Sequence, residues 1–249
     1  MVVAVEVRHL KKYYDDEDLK VLEDVSFQCM EKEFVSIIGP SGCGKSTIFN
    51  LITGIEAADR GEILIEGAAA DTKNPKVAYM PQRDLLLPWL KVLDNVVIGL
   101  EIEGVPKKER YNKAFEYLEL FGLDGFENKY PSELSGGMRQ RAAFLRTVLT
   151  GKKILLLDEP FGALDALTRL QMQKWLLNLQ QKLHRSVLFI THDIDEAIFL
   201  SDRVVILSPR PATVLDIIEI RLPSPEKTDQ LLSPEYAALK KQLLQQLRI

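Results

Sequence analysis

What this chain has little of narrows it first. Among 249 residues there are two cysteines, Cys29 and Cys43, and three histidines. That gives no disulfide framework and no zinc-type spacing, and such sparing cysteine use fits a reducing compartment. Positive charge is not in excess either: 32 Lys+Arg stand against 36 Asp+Glu, a net charge of −4. A bulk basic field for nucleic acid or acidic lipid is therefore missing. Nowhere do about 18 apolar residues run without a charge, so no segment is expected to span a bilayer. Met1-Val2-Val3-Ala4-Val5-Glu6 reaches a carboxylate within six residues, so no secretory leader is expected. What remains is a globular balance, 46% hydrophobic and 27% charged. It excludes a disordered chain, a collagen and a coiled-coil rod. The length suits one large domain or two small ones.

Periodicity then separates strands from helices. Strands are expected over 3–7, 25–27, 34–38, 61–65, 76–80, 154–157, 187–190, 204–207 and 214–220, from alternation or short apolar runs. Helices are expected over 46–53, 107–121 and 135–149. Asp15-Asp16-Glu17-Asp18 reads as a solvated acidic turn. The stretch 90–150 is rich in helix, so an α/β core carries an inserted helical segment. Residues 1–222 read as one domain, and 223–249 as a tail with Pro223 and Pro225. In the tail, Ser233-Pro234 is a helix start, and Tyr236, Leu239, Leu243 and Leu247 form an apolar stripe after it. The stripe suits packing on the chain's own body, with a partner contact as the alternative.

Three segments carry chemistry. Gly39-Pro40-Ser41-Gly42-Cys43-Gly44-Lys45-Ser46-Thr47 fits G-x-x-x-x-G-K-[ST] between a predicted strand and a predicted helix. Glycines let backbone N–H groups turn around an anion, and the helix start adds its positive dipole end. Lys45 can reach β- and γ-phosphate oxygens, and the Ser46 hydroxyl can ligate Mg²⁺. Cys43 fills a variable position of the loop. Next, Ile154-Leu155-Leu156-Leu157-Asp158-Glu159-Pro160 delivers two carboxylates at a strand end, where open α/β sheets place ligands. Asp158 suits Mg²⁺, held through water. Glu159 suits the base or orienting group for an attacking water. Third, Leu134-Ser135-Gly136-Gly137-Met138-Arg139-Gln140-Arg141 opens a helix with a serine cap and exposed amides. The chain thus has two phosphate-binding devices in separate segments.

With these segments in this order, the sequence resembles the ATP-binding-cassette (ABC) family over nearly its whole length. The resemblance rests also on Gln82 in Met80-Pro81-Gln82, Ala163-Leu164-Asp165 and Thr191-His192-Asp193. It implies a P-loop NTPase with a RecA-like α/β core, an antiparallel β subdomain and an inserted α-helical subdomain. It implies that residues 39–47 bind ATP, with Tyr14 or its neighbour Tyr13 stacking on adenine. Gln82 would contact Mg²⁺ and the attacking water, and His192 would hold the γ-phosphate and organise Glu159. Asp165 would cross between subunits. Ser135, Gly136, Gly137 and Gln140 would face the ATP of a second cassette, because one chain carries a single copy of each half-site. His9 and His184 match no motif.

Residues 85–96, Pro160-Phe161-Gly162 and Ser208-Pro209-Arg210-Pro211 look like those of the nitrate/sulfonate/taurine-type importers. For residues 85–90 two readings stand together, core packing and a groove for a coupling helix of the permease. Two departures occur. Ala142-Ala143-Phe144-Leu145-Arg146-Thr147 replaces a run of small residues after the signature, and Gly151-Lys152-Lys153 replaces the usual proline before the acidic strand. The expectation is an ATPase using ATP and Mg²⁺, working as a homodimer or with a related cassette. It would sit at the cytoplasmic face of a membrane on integral permease subunits, served indirectly by a solute-binding protein, with no nucleic-acid partner. A soluble ABC ATPase acting on nucleic acid or ribosomes, a small-metabolite kinase and an exporter ATPase are the alternatives.

Overall fold

A computed structural model describes residues 2–14, 19–70, 76–162, 164–222 and 233–247. The acidic turn at 15–18, Ala163, Pro223 and Pro225 lie outside the described residues. The chain divides into two compact units, residues 1–76 with 177–249, and residues 77–176. No helix among the described residues is long and apolar enough to cross a membrane.

In the first unit the strands are β1 (Val3–Tyr14), β2 (Leu19–Met30), β3 (Phe34–Ile38), β4 (Arg60–Ile65), β5 (Ala68–Ala69), β8 (Ser186–Ile190), β9 (Arg203–Leu207) and β10 (Ala212–Glu219). They lie in the order β5-β4-β1-β2-β10-β9-β3-β8. One end is an antiparallel patch made by β1 with β2 and β4, and β4 with β5. The other end is parallel, β3 pairing with both β8 and β9. Every residue of β3 and β8 is buried, as expected of parallel strands covered on both faces, which read as apolar runs rather than alternation.

β1 and β2 run well beyond the stretches their alternation marks out. The pairing of β1 with β2 shifts register between Val3 and Val5, Val7 and Leu10, Leu10 and Lys12, and Lys12 and Tyr13. His9 in the second of these takes φ 48°. Each bulge inserts a residue and breaks the period of two. This is why Ala4 is buried beside Val5 while Val3 is only half-buried.

The helix after β3, α1 (Lys45–Thr53), ends on Gly54 in the left-handed region, whose N–H returns to the Leu51 carbonyl. The unit closes with α6 (Ile194–Leu200) and α7 (Pro234–Leu247). Tyr236 and Leu243 of α7 are buried in a cluster with Ile38, Ala197, Ile198, Val204, Ile206 and Ile218, and Leu239 and Leu247 pack against it. The Tyr236 hydroxyl and Lys240 ammonium both donate to Asp195, at 2.7 and 2.8 Å.

The second unit holds the parallel pair β6 (Val77–Met80) and β7 (Ile154–Asp158) with α2 (Val92–Ile102), α3 (Lys107–Leu118), a 3₁₀ turn (Pro131–Glu133) and α4 (Gly136–Leu149). The chain passes from this unit to the first within α5 (Ala166–Leu183). α2 has no clear helical stripe in sequence because six of its eleven residues are buried. A run apolar all round does not distinguish a helix from a strand. The departure at Phe144 has a packing reason. Its ring meets Phe121 at 6.0 Å and Trp175 at 5.1 Å, edge to face, and the Trp175 indole donates to the Leu120 carbonyl at 2.7 Å.

Candidate active site

The phosphate loop, residues 39–47, leaves the buried end of β3 and enters α1. Gly42 and Gly44 take φ 73° and 117°, values that favour glycine. At Gly44 space adds a second requirement: a Cβ there would lie 2.8 Å from side-chain carbons of both Val21 and Leu22. The Cys43 N–H donates to the Pro40 carbonyl. On the other side of the same peptide group, the Arg210 guanidinium donates to the Gly42 carbonyl. The loop is therefore turned from within and braced by Arg210 of Ser208-Pro209-Arg210-Pro211. Lys45 is buried, and its ammonium donates to the Gly39 and Pro40 carbonyls at 2.8 and 3.0 Å. An ammonium has three donors, and these two backbone carbonyls take up two of them. The helix start beyond it receives no side-chain cap. A loop of this shape accepts an anion.

Tyr14 and Tyr13 point to different partners. The Tyr14 hydroxyl donates to Glu56, which also accepts from Asn50 of α1 at 2.7 Å. Burial, then the Glu56 carboxylate, pushes the Tyr14 phenol up. The Tyr13 hydroxyl turns instead to Glu23 of β2 at 3.4 Å. Of the two, Tyr14 is tied to the helix that follows the phosphate loop. Glu56 and Arg210 were not named as site residues from the sequence; Ser208-Pro209-Arg210-Pro211 is the signal that could have found the second.

His192 stands exposed after β8. Its neighbours are pinned: the Thr191 hydroxyl donates to buried Glu196 at 2.6 Å, and Asp193 caps α6 by accepting from the Asp195 N–H at 2.8 Å.

In the second unit, Asp158 is buried at the end of β7. The Tyr79 hydroxyl of β6 donates to it at 3.3 Å; desolvation, then the Asp158 charge, pushes the Tyr79 phenol up. Tyr79 is missing from the sequence-level site, for a tyrosine in a strand carries no spacing signal. Glu159 adopts φ 44°. A non-glycine residue there is strained by about 1–3 kcal/mol, a cost found mainly at functional sites. The Gln82 amide donates to the Glu159 carboxylate at 2.9 Å, across 77 positions. Two residues assigned to hydrolysis are thus brought together directly.

Ser135 caps α4, its hydroxyl accepting from the Met138 N–H at 3.2 Å. The two signature glycines differ. A Cβ on Gly137 would meet the Thr168 methyl at 3.0 Å, so this glycine lets α4 and α5 approach. A Cβ on exposed Gly136 would meet nothing nearer than 3.9 Å. Packing does not explain Gly136, while access by a ligand would. Gln140, placed with them by the sequence, is only 6% exposed, so its side chain does not share the surface that Ser135 and Gly136 present. Asp165 is exposed and accepts from the Thr168 N–H at 3.0 Å. The Thr168 hydroxyl, then its N–H, holds the Asp165 carboxyl below its usual range.

Residues 85–90 divide between both readings. Leu86 is buried, while Leu85 and Trp89 are 55% and 69% exposed. Asn95 makes the division. Fully buried in α2, its side chain accepts from the Leu87 N–H at 2.7 Å and donates to the Leu87 and Leu90 carbonyls at 3.0 and 2.9 Å. Asn95→Ala is expected to cost about 2–3 kcal/mol, since buried loop groups lose their partners. A fall in Tm of about 5–10 °C by calorimetry checks this.

The family model for ABC transporters matches residues 22–162. The chain belongs to the ABC transporter family. The cassette is 41% identical over 248 residues to an aliphatic sulfonates import ATP-binding protein of Bacillus cereus, covering 98% of this chain and 96% of that protein. It is 45% identical over 227 residues to a formylaminopyrimidine import ATP-binding protein of Halalkalibacterium halodurans, covering 90% and 88%. It is 44% identical over 227 residues to a taurine import ATP-binding protein of Rhizobium johnstonii, covering 89% and 87%. Among solved structures it is similar to a dimeric bacterial ABC transporter cassette, with TM-score 0.77 and 30% identity over 88% of this chain and 99% of that one. It is also similar to the same cassette in a post-hydrolysis state bound to ADP and Pi, with TM-score 0.74 and 29% identity over the same shares. The expected ABC ATPase fold is therefore present, and the cassette is an ATP-binding ATPase.

Proposed function

We propose that this cassette is the ATP-hydrolysing subunit of a membrane importer for a small anionic or organic solute of the sulfonate or taurine kind. Its similarity over nearly full length to import ATP-binding proteins carries the reading. The exposed pair Leu85 and Trp89 supports it as an apolar face for a permease segment. The transported solute never touches this chain. It works as a pair, homodimeric or with a related cassette, at the cytoplasmic face of the membrane, on integral permease subunits and indirectly with a solute-binding protein.

Residues 39–47 hold the phosphates of ATP through backbone N–H groups, with Lys45 supplying charge and Tyr14 a stacking face. Mg²⁺ suits the oxygen donors Ser46, Asp158 and Gln82. Among the described residues no group of three or more His, Cys, Asp or Glu forms a metal cage, and Mg²⁺ is commonly bound by one or two carboxylates together with substrate phosphates. When bound, the ion neutralises phosphate charge. Glu159, oriented by Gln82, takes a proton from the attacking water. The water oxygen bonds to the γ-phosphorus, and the bond to the β-bridging oxygen breaks with its electron pair leaving on ADP. His192 steadies the γ-phosphate. Ser135 and Gly136, with Gly137, offer N–H groups to the nucleotide of the paired cassette, and Asp165 reaches across. ATP binds the closed pair better than the open one, so hydrolysis reopens it.

The test is reconstitution in liposomes with a sulfonate- or taurine-type permease. Hydrolysis is expected to rise several-fold when the loaded solute-binding protein is added. No association with any permease, together with salt-dependent binding to nucleic acid, would overturn the importer reading in favour of a soluble ABC ATPase.

A further inference from the structure

The turn between β9 and β10 lies against the phosphate loop because the strands before them are paired. β3 and β9 run parallel, with Ile38 opposite Ile206, so the segments that leave them start side by side. The approach is close: a Cβ on Gly39 would lie 3.1 Å from both the Cβ and the carbonyl oxygen of Leu207. The turn is also pinned from inside. The Ser208 N–H donates to the Thr213 carbonyl at 3.0 Å, and the Thr213 N–H donates to the Ser208 hydroxyl at 2.9 Å. That hydroxyl donates to the Pro209 carbonyl at 2.8 Å. From this fixed base the exposed Arg210 reaches back, and its Nε–H donates to the Gly42 carbonyl.

Gly42 is a position where such a bond has an effect. It is exposed and takes φ 73°, and Gly44, two residues on, takes φ 117°. Two glycines so close together leave the intervening peptide groups unusually free to rotate. The group between Gly42 and Cys43 is nevertheless held on both sides, its N–H by the Pro40 carbonyl at 3.2 Å and its carbonyl by Arg210. The nearest atom to a Cβ built on Gly42 would be Arg210 Nη2, at 3.6 Å, so the guanidinium runs along the open side of this glycine.

We infer that Arg210 is a positioning residue for nucleotide affinity. It fixes the Gly42–Cys43 peptide group before phosphate arrives, so that less of the loop has to be ordered on binding. The hydrogen bond at Nε carries the effect. The charge carries little of it, because the guanidinium stands in solvent, where electrostatic effects are screened. This rests on residues 39–47 holding the phosphates of ATP.

Side-chain chemistry separates the bond from the charge. Glutamine sets its amide nitrogen as many bonds from Cα as the arginine Nε, and so keeps a donor there without a charge. Lysine sets a methylene there and keeps the charge, and methionine has neither. The experiment uses the full-length chain. It measures Kd and KM for Mg·ATP, thermal unfolding without nucleotide, and hydrogen exchange of the loop amides by mass spectrometry. Arg210→Met is expected to raise Kd and KM about five- to tenfold, with kcat at saturation within about twofold of wild type. Its unfolding temperature is expected to stay within about 2 °C of wild type, since the residue is exposed. Its loop amides should exchange faster than those of wild type when no nucleotide is present. Arg210→Gln is expected to keep Kd within about twofold of wild type. Wild-type affinity in Arg210→Met overturns the inference. So does an Arg210→Gln protein as weak as Arg210→Met, in favour of charge alone where Arg210→Lys keeps its affinity. A loss of affinity that only follows a fall in unfolding temperature overturns it as well. If Mg·ATP fails to protect the amides of residues 39–47 in the wild-type protein, the phosphate-loop reading itself fails, whatever the Arg210 variants do.

Discussion

Glu159→Gln is expected to bind Mg·ATP with near wild-type affinity and to hydrolyse it about 10²–10⁴-fold more slowly, the usual worth of general-base assistance. The substitution keeps side-chain length and leaves an oxygen that can still face the Gln82 amide, now paired with Glu159 at 2.9 Å. It removes the charge that, on the proposed mechanism, accepts the proton. Since Glu159 keeps its backbone at φ 44°, and glutamine adopts that region no more easily than glutamate, stability should hardly change. The loss would therefore belong to chemistry rather than folding. On the paired-cassette proposal, in which unhydrolysed ATP would hold the pair closed, the variant should also accumulate as an ATP-dependent dimer, seen by light scattering. Single-turnover kinetics checks the first part. Monomeric behaviour at saturating Mg·ATP, both in solution and with a permease, would sink the paired-cassette reading.

Lys45→Ala should abolish useful nucleotide binding, raising Kd for ATP at least about a hundredfold. Hydrogen bonds to charged groups contribute about 1.5–3 kcal/mol each, and the ammonium would make more than one to a triphosphate. The Lys45 ammonium donates to the Gly39 and Pro40 carbonyls at 2.8 and 3.0 Å. Truncation leaves those carbonyls without their donor, so a fall in Tm of a few degrees is expected with it. Titration with a fluorescent ATP analogue separates the two effects. Retained affinity would show that the loop binds by its backbone alone.

Legibility followed contiguity. Residues 39–47 and the run from Ser135 to Gly137 stand out in the sequence because main-chain N–H groups able to face one anion come in order along the chain, and Asp158 and Glu159 because together they end a buried apolar strand. β3 was readable because its five residues are all buried. The rest was hidden by causes that act across the sequence. β1 and β2 lost their alternation to four register shifts. α2 lost its stripe to burial on most sides. Tyr79 owes its place to strand pairing, and the Gln82–Glu159 contact spans 77 positions.

The amino-acid order by itself therefore determined the phosphate loop, the acidic strand end, the signature helix and with them the family. Only the tertiary structure decided which way each side chain is turned. It sent Leu86 inward while leaving Leu85 and Trp89 exposed, tied Tyr14 rather than Tyr13 to α1, and drew Gln140 away from the face of Ser135 into the wall of a cleft. The physical reason is that a main-chain anion site is built from consecutive amides, whereas the burial of a side chain depends on whatever packs opposite it, and no local pattern records that.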